Sequence, residues 1–184
     1  MEGLGGIPMA GTESGRGPVG GRGRVIVGVS GSLASLAALR VAAEEARRGH
    51  RVLVAVIAWE PPEGEKLYLR HPDREWAGHW QAEARARLDR AFDEVFGGAP
   101  PGVDSERRVI RARPASALSG LATRPDDLLV LGTRPGRRRP PRTHRQARSR
   151  TTCPILTVPS PSIPKGLRRA LRRMRVEDFG LVGE

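Results

Sequence analysis

The chain is short of the residues that would staple it covalently or hold it in a lipid. It has a single cysteine, Cys153, in 184 residues, which excludes an intramolecular disulfide and fits a reducing compartment. No apolar stretch is long enough to span a membrane or laid out as a signal peptide, so the expected location is the cytoplasm. No Walker or nucleophile-elbow pattern appears, and Ser30 and Ser32 have no recognisable base beside them. His50, His71, His79 and His144 are not spaced with Cys153 or with carboxylates as metal ligands are, so neither a metal nor an enzymatic role is expected. Positive charge is what the chain has in excess. Its 32 Lys and Arg against 20 Asp and Glu leave a formal net charge of +12, which attracts polyanions without sequence preference.

The clearest local signal lies between Arg24 and Trp59. Two short β-branched runs, Val25-Ile26-Val27-Gly28-Val29 and Val52-Leu53-Val54-Ala55-Val56-Ile57, lack polar alternation and predict strands covered on both faces. Between them Leu33, Leu36, Leu39, Ala42 and Ala43 recur at helical spacing, with Arg40, Glu44, Glu45, Arg47 and Arg48 largely on the other side and Gly49 as the stop. A helix joining two buried strands implies parallel pairing through a right-handed crossover. The turn Ser30-Gly31-Ser32 opens that helix and would aim unpaired backbone N–H groups at the carboxyl end of the sheet, where such folds hold ligands.

The same alternation continues downstream. After a loop at Glu60-Pro61-Pro62-Glu63-Gly64, a helix is expected from about Pro72 to Phe96, its apolar face made by Ala82, Ala84, Leu88, Ala91, Phe92 and Val95. A strand is expected over Arg107 to Arg113, then a helix that Pro114 starts and that holds Ala115, Ala117, Leu118 and Leu121. Asp126 to Gly132 reads as the fourth strand, about Thr143 to Thr151 as a short helix, and Pro154 to Val158 as the fifth strand. Strands alternating with helices argue for one doubly wound, five-stranded parallel α/β sheet with helices on both faces. The expected division is a disordered Gly-rich segment at 1–23, the α/β domain at 24–159, and a proline-containing linker with a basic tail at 160–184. Gly15-Arg16-Gly17-Pro18-Val19-Gly20 spells GxGxxG, but no strand precedes it and a strand rather than a helix follows, so the dinucleotide reading fails on context.

Taken together, VGVSGS followed by ALRVAAEEARRG, the strand DLLVLGTR and the closing TTCPILTVP resemble, in order and spacing, the universal stress protein family over about residues 24–159. The resemblance implies a parallel sheet of strand order 3-2-1-4-5, the adenine nucleotide alpha hydrolase-like fold, usually dimeric through the last strand, and a non-enzymatic role in stress physiology. Many members bind ATP, while others lack the glycine motif and do not. Carried onto this chain, the resemblance makes Val29, Ser30, Gly31, Gly132, Thr133, Gly136 and Thr143 the candidate residues for an adenine nucleotide. Glycines let the backbone close on phosphates, and a helix start supplies N–H donors.

The chain departs from the family pattern at several points. Pro135 stands where a second glycine is usual, with Gly136 one position later, and Pro141-Arg142 fall where a Gly-Ser pair is usual. Prolines lack N–H groups, so the phosphate cradle is degraded. Ser30 occupies a position that is usually aspartate and can hydrogen-bond but not carry charge. Thr143 is a candidate helix N-cap or a phosphate contact, and Gly132 a phosphate-loop glycine or relief for crowding at a strand end.

Residues 133–150 carry eight arginines and no carboxylate. Arg137, Arg138, Arg139 and Arg142 either reach a nucleotide, polyphosphate or nucleic acid or form a solvated surface; Arg142, Arg145 and Arg148 are expected on one helix face. In the tail, Leu167, Ala170, Leu171 and Met174 make an apolar stripe among Arg168, Arg169, Arg172, Arg173 and Arg175. Such a helix docks on its own domain or dimer mate, lies on an anionic membrane, or grips nucleic acid. Ile155 to Val158 reads as an edge strand able to pair with a second copy. Asp126 and Asp127 are expected to face solvent at the amino end of the fourth strand, Cys153 to be buried, and Trp59, Trp76 and Trp80 to serve packing or line a small apolar pocket.

Overall fold

The computed structural model describes residues 23–134 and 141–161. The remainder of the expected N-terminal segment, the proline- and arginine-rich residues 135–140 and the tail from 162 onward lie outside the described residues. The elements run β1 (Val25–Gly28), α1 (Leu33–Gly49), β2 (Leu53–Trp59), α2 (Glu65–Arg70), α3 (Arg74–Phe96), β3 (Ser105–Arg111), α4 (Pro114–Leu121), β4 (Leu128–Thr133), α5 (Arg142–Arg148) and β5 (Ile155–Pro159). All strand pairs are parallel, in the order β3-β2-β1-β4-β5, as expected. The short helix α2 falls between the expected loop, which ends at Gly64, and the helix expected from about Pro72, and its six residues with one buried side chain, Tyr68, explain why no helical period shows there.

The side-chain period of two divides the core. Val25, Val27, Leu53, Ala55 and Val130 face α1 and α3, whereas Ile26, Val54, Val56, Leu129 and Leu131 face the other side with Leu118 of α4 and Ala147 of α5. Helix α1 packs through Ala34, Ala38, Ala42 and Ala46, all buried and one turn apart, and small side chains let it approach the sheet closely. Leu33, expected on the apolar face, is instead 69% exposed, because at about 100° per residue it falls on the side of α1 opposite the buried row of Ala38, Ala42 and Ala46. Ala82 of α3 is also exposed. The helix stop is His50 rather than Gly49: His50 takes the left-handed conformation at φ 48° and its N–H bonds the carbonyls of Ala46 and Arg47.

Asp127 overturns the expectation that both acids face solvent. Its residue is 1% exposed and its carboxylate accepts hydrogen bonds from the backbone N–H, Nε and Nη2 of Arg24 and from the backbone N–H of Arg124. Burial alone would push this carboxyl up, but the Arg24 guanidinium and the two backbone N–H groups outweigh it and hold the group below the usual carboxylate range. Arg24 Nη2 also donates to the carbonyl of Leu121 at 2.7 Å, tying β1 to the end of α4. A strand-end acid can be buried here because every hydrogen bond it needs is supplied locally.

Candidate functional site

At the opposite, carboxyl end of the sheet, β1 and β4 part and a crevice of about 280 Å³ opens between α1, α4 and α5. It falls at the point where the strand order reverses, since β1 connects outward to β2 on one side and borders β4 on the other. Its floor is apolar, with Val56, Ile57, Ala58, Leu118 and Leu131, and its rim carries Ser30, Ser32, Ser35, Arg87, Thr143 and His144.

The first turn is held by its own serines. Val29 extends β1, donating to the carbonyl of Val56 at 2.8 Å, and is buried. Gly31 takes φ 77°, which favours glycine. Ser32 caps α1, accepting from the N–H of Ser35, while the buried Ser35 hydroxyl donates to the Ser32 carbonyl at 2.8 Å and accepts from the Ser30 N–H at 3.2 Å. The Ser30 and Ser32 hydroxyls lie 3.1 Å apart. The Ser30 N–H, expected to point unpaired at a ligand, is therefore partly satisfied within the turn.

On the other side of the crevice, Gly132 meets α1 at very close range. A Cβ at Gly132 would fall 2.1 Å from the carbonyl oxygen of Ala34 and 2.9 Å from the backbone nitrogen of Ser35. The glycine is thus required by the contact between β4 and the first turn of α1, whatever the ligand. Helix α5 begins with Pro141 in the cap position, without a side-chain cap, so Thr143 is inside the first turn and not the N-cap as expected. His144 Nε2 lies 3.1 Å from the Gly132 carbonyl and ties α5 to the end of β4.

Of the candidate residues, Val29, Ser30, Gly132 and Thr143 line one crevice. Gly31 lies in the turn behind it, Thr133 lines a neighbouring groove with Arg145, Arg148 and Thr157, and Gly136 lies outside the described residues, as do Arg137, Arg138 and Arg139. On α5, Arg142 and Arg145 flank one groove and Arg145 and Arg148 a neighbouring one, and all three arginines are exposed. Arg87 of α3 and His144 were missed as wall residues. Arg87 sits in the middle of a helix with no local motif, and no spacing in the chain marks it as close to Ser30.

Of the tryptophans, none lines the crevice: Trp76 and Trp80 meet edge to face on α3, and Trp59 packs on the core. Cys153 is buried as expected, and burial pushes its thiol up. Among the described residues no three His, Cys, Asp or Glu side chains converge as a metal site would require, and no helix is long and apolar enough to cross a membrane.

The universal stress protein family matches residues 21–159, well over half of the chain. The chain belongs to the universal stress protein family. Its fold is shared with solved relatives of this family. A universal stress protein crystallised in complex with cAMP is 24% identical, with a TM-score of 0.54 over 76% of this chain and 98% of that one. The universal stress protein from Archaeoglobus fulgidus in complex with dAMP is 18% identical, with a TM-score of 0.54 over 74% of this chain and 97% of its own. A second structure from Archaeoglobus fulgidus is 19% identical, with a TM-score of 0.52 and coverage of 74% and 98%. At these identities the likeness of this universal stress protein to them is one of fold. No curated protein matches the chain.

Proposed function

We propose that this universal stress protein is a non-enzymatic, cytoplasmic nucleotide-responsive regulator, and that the crevice between β1 and β4 takes an adenine nucleotide. The observation that carries the reading is the crevice itself: an apolar floor of Val56, Ile57 and Leu118 for a base, under a rim of Ser30, Ser32 and Thr143 hydroxyls for a sugar. The solved family members with bound cAMP and dAMP support the ligand class. The non-enzymatic reading rests on the serines, whose hydroxyls engage one another while the His144 ring engages the Gly132 carbonyl, so no nucleophile–base pair is formed. Calorimetry on the purified chain is expected to show adenine nucleotide binding below millimolar concentration, and Thr143→Phe, which fills the crevice, to abolish it. Absence of binding at millimolar nucleotide would refute the reading.

A second reading, an interaction module acting through a dimer, is favoured by β5. Among the described residues its outer edge is unpaired, and the Arg142, Arg145 and Arg148 side chains beside it are exposed and in no ion pair. Homodimerisation through β5 would be seen by ultracentrifugation, and a monomer at high concentration would count against it. Nucleic-acid contact through Arg142 and the basic tail is expected to weaken steeply with salt.

A further inference from the structure

The excess of positive charge is not spread evenly over the two faces of the sheet. On the face that packs Val25, Val27 and Val130, α1 carries three arginines and two acids and α3 four arginines and five acids, so the helices there are neutral in sum. Several of these charges meet within their own helix, as Arg48 meets Glu45 at 3.1 Å and Arg87 meets Glu83 at 2.7 Å. On the opposite face α4 carries no charge, α5 carries Arg142, Arg145 and Arg148 and no acid, and Arg150 follows directly. All four arginines are exposed. Arg150 Nη1 donates to the Ser116 hydroxyl on the first turn of α4 at 3.2 Å, which carries the row of cations from one helix to the other. Arg113, in the cap position of α4, is engaged by Glu60 at 3.4 Å, so the charge of this face is centred on α5. The bias is regional in the sequence as well, since no Asp or Glu occurs between Leu128 and Val176.

Aromatic rings are segregated in the opposite sense. Trp59, Tyr68, Trp76, Trp80, Phe92 and Phe96 all belong to β2, α2 and α3, and no Phe, Trp or Tyr occurs between Gly97 and Asp178. His144, the one imidazole of α5, is turned to the Gly132 carbonyl. Together the two distributions select one kind of polyanion. Single strands are held by stacking their bases on aromatic side chains along a basic groove, and α4 and α5 offer no such ring. A duplex keeps its bases stacked inside and presents phosphates, which guanidinium forks grip through charge-assisted N–H bonds without reading sequence.

We propose that the α5 side of the sheet, with Arg145, Arg148 and Arg150 at its centre, holds the phosphate backbone of duplex DNA without preference for sequence. The proposal rests on the interaction-module reading above and adds the face, the form of the nucleic acid and the residues. Fluorescence anisotropy on the full-length chain compares two labelled duplexes of unrelated sequence with a single strand of the same length, each over a series of salt concentrations. The two duplexes are expected to bind alike and the single strand several times more weakly. Arg145→Gln, Arg148→Gln and Arg150→Gln in one chain should reduce the slope of log K against log salt for duplex by about two or more, since each lost phosphate contact removes about 0.9. Arg40→Gln, Arg74→Gln and Arg90→Gln, exposed on α1 and α3, remove the same charge from the other face and should leave the slope nearly unchanged. Arg145→Lys, Arg148→Lys and Arg150→Lys in one chain should keep the slope, because a cation remains at each phosphate. An equal fall of slope in the two glutamine variants, which net charge alone would produce, a single strand bound as tightly as the duplex, or a slope untouched by the loss of Arg145, Arg148 and Arg150 would each overturn the proposal. In the last case duplex binding persists through Arg142 and the basic tail and the broader nucleic-acid contact stands, whereas no binding of either form at low salt overturns both.

Discussion

At the amino end of the sheet Asp127 is sealed beneath Arg24, with each carboxylate oxygen engaged, while at the carboxyl end Ser30 and Ser32 stand at the rim of an open crevice. Both ends lie along the seam of β1 and β4, and both concentrate polar groups. They differ in how those groups are satisfied. The amino end buries charge only because Arg24 and two backbone N–H groups surround it, which makes it rigid and leaves nothing for a ligand. The carboxyl end uses neutral hydroxyls that bond to one another at 3.1 to 3.4 Å and retain further donors and acceptors. Acid at one end and cation at the other also means that an anion entering the crevice meets no carboxylate on its described wall.

The sharpest way to break this contrast is Asp127→Ala. Removing one partner of a buried pair leaves Arg24 uncompensated and is expected to cost about 3–5 kcal/mol in urea unfolding, against roughly 0.5 kcal/mol or less for Ser30→Ala at the exposed rim. The same residue sets an acid limit. Its carboxyl is held below its value in the unfolded chain, so its stabilisation is complete above the unfolded value of about 4 and is lost as pH falls through the lower folded value. Unfolding followed from pH 6 to pH 2 should therefore steepen in the natural chain and lose that component in Asp127→Ala; an identical pH dependence in the two would remove Asp127 from the account.

A smaller effect is expected from Gly132→Ala, about 1–3 kcal/mol, since the added methyl meets the Ala34 carbonyl and backbone must shift. This variant sharpens the comparison because it loosens the carboxyl end without touching charge. A stability equal to that of the natural chain would mean that β4 and α1 can part freely there. The close contact also shows that Gly132 substitutions report on packing and cannot serve as a clean test of ligand binding.

Much of the fold was legible because its signals are local. The β-branched runs of β1 and β2, the helical recurrence in α1 and Pro114 at the start of α4 each depend on residues within one element. The errors fell where an element meets another. Asp127 reads as a solvent acid until β1 brings Arg24 beside it from 103 positions away. Leu33 reads with the apolar face of α1 but lies on the side away from its buried alanines, and Thr143 resembles a cap until Pro141 is seen to take that place. Gly132 could be read as a phosphate glycine or as relief for crowding, and only the packing of α1 showed the latter requirement.

From the sequence by itself came the alternation of strands and helices, their order along the chain, the family, and the loss of N–H donors where proline replaces glycine. Those follow from period, composition and the covalent nature of proline, which hold wherever a segment is placed. The tertiary structure alone decided that Asp127 is a buried clamp, that His144 ties α5 to β4, and that Arg87 overlooks the turn at Ser30. Each of these depends on which surfaces the parallel crossovers bring together, and a distance between residues remote in sequence leaves no mark on the spacing of either one.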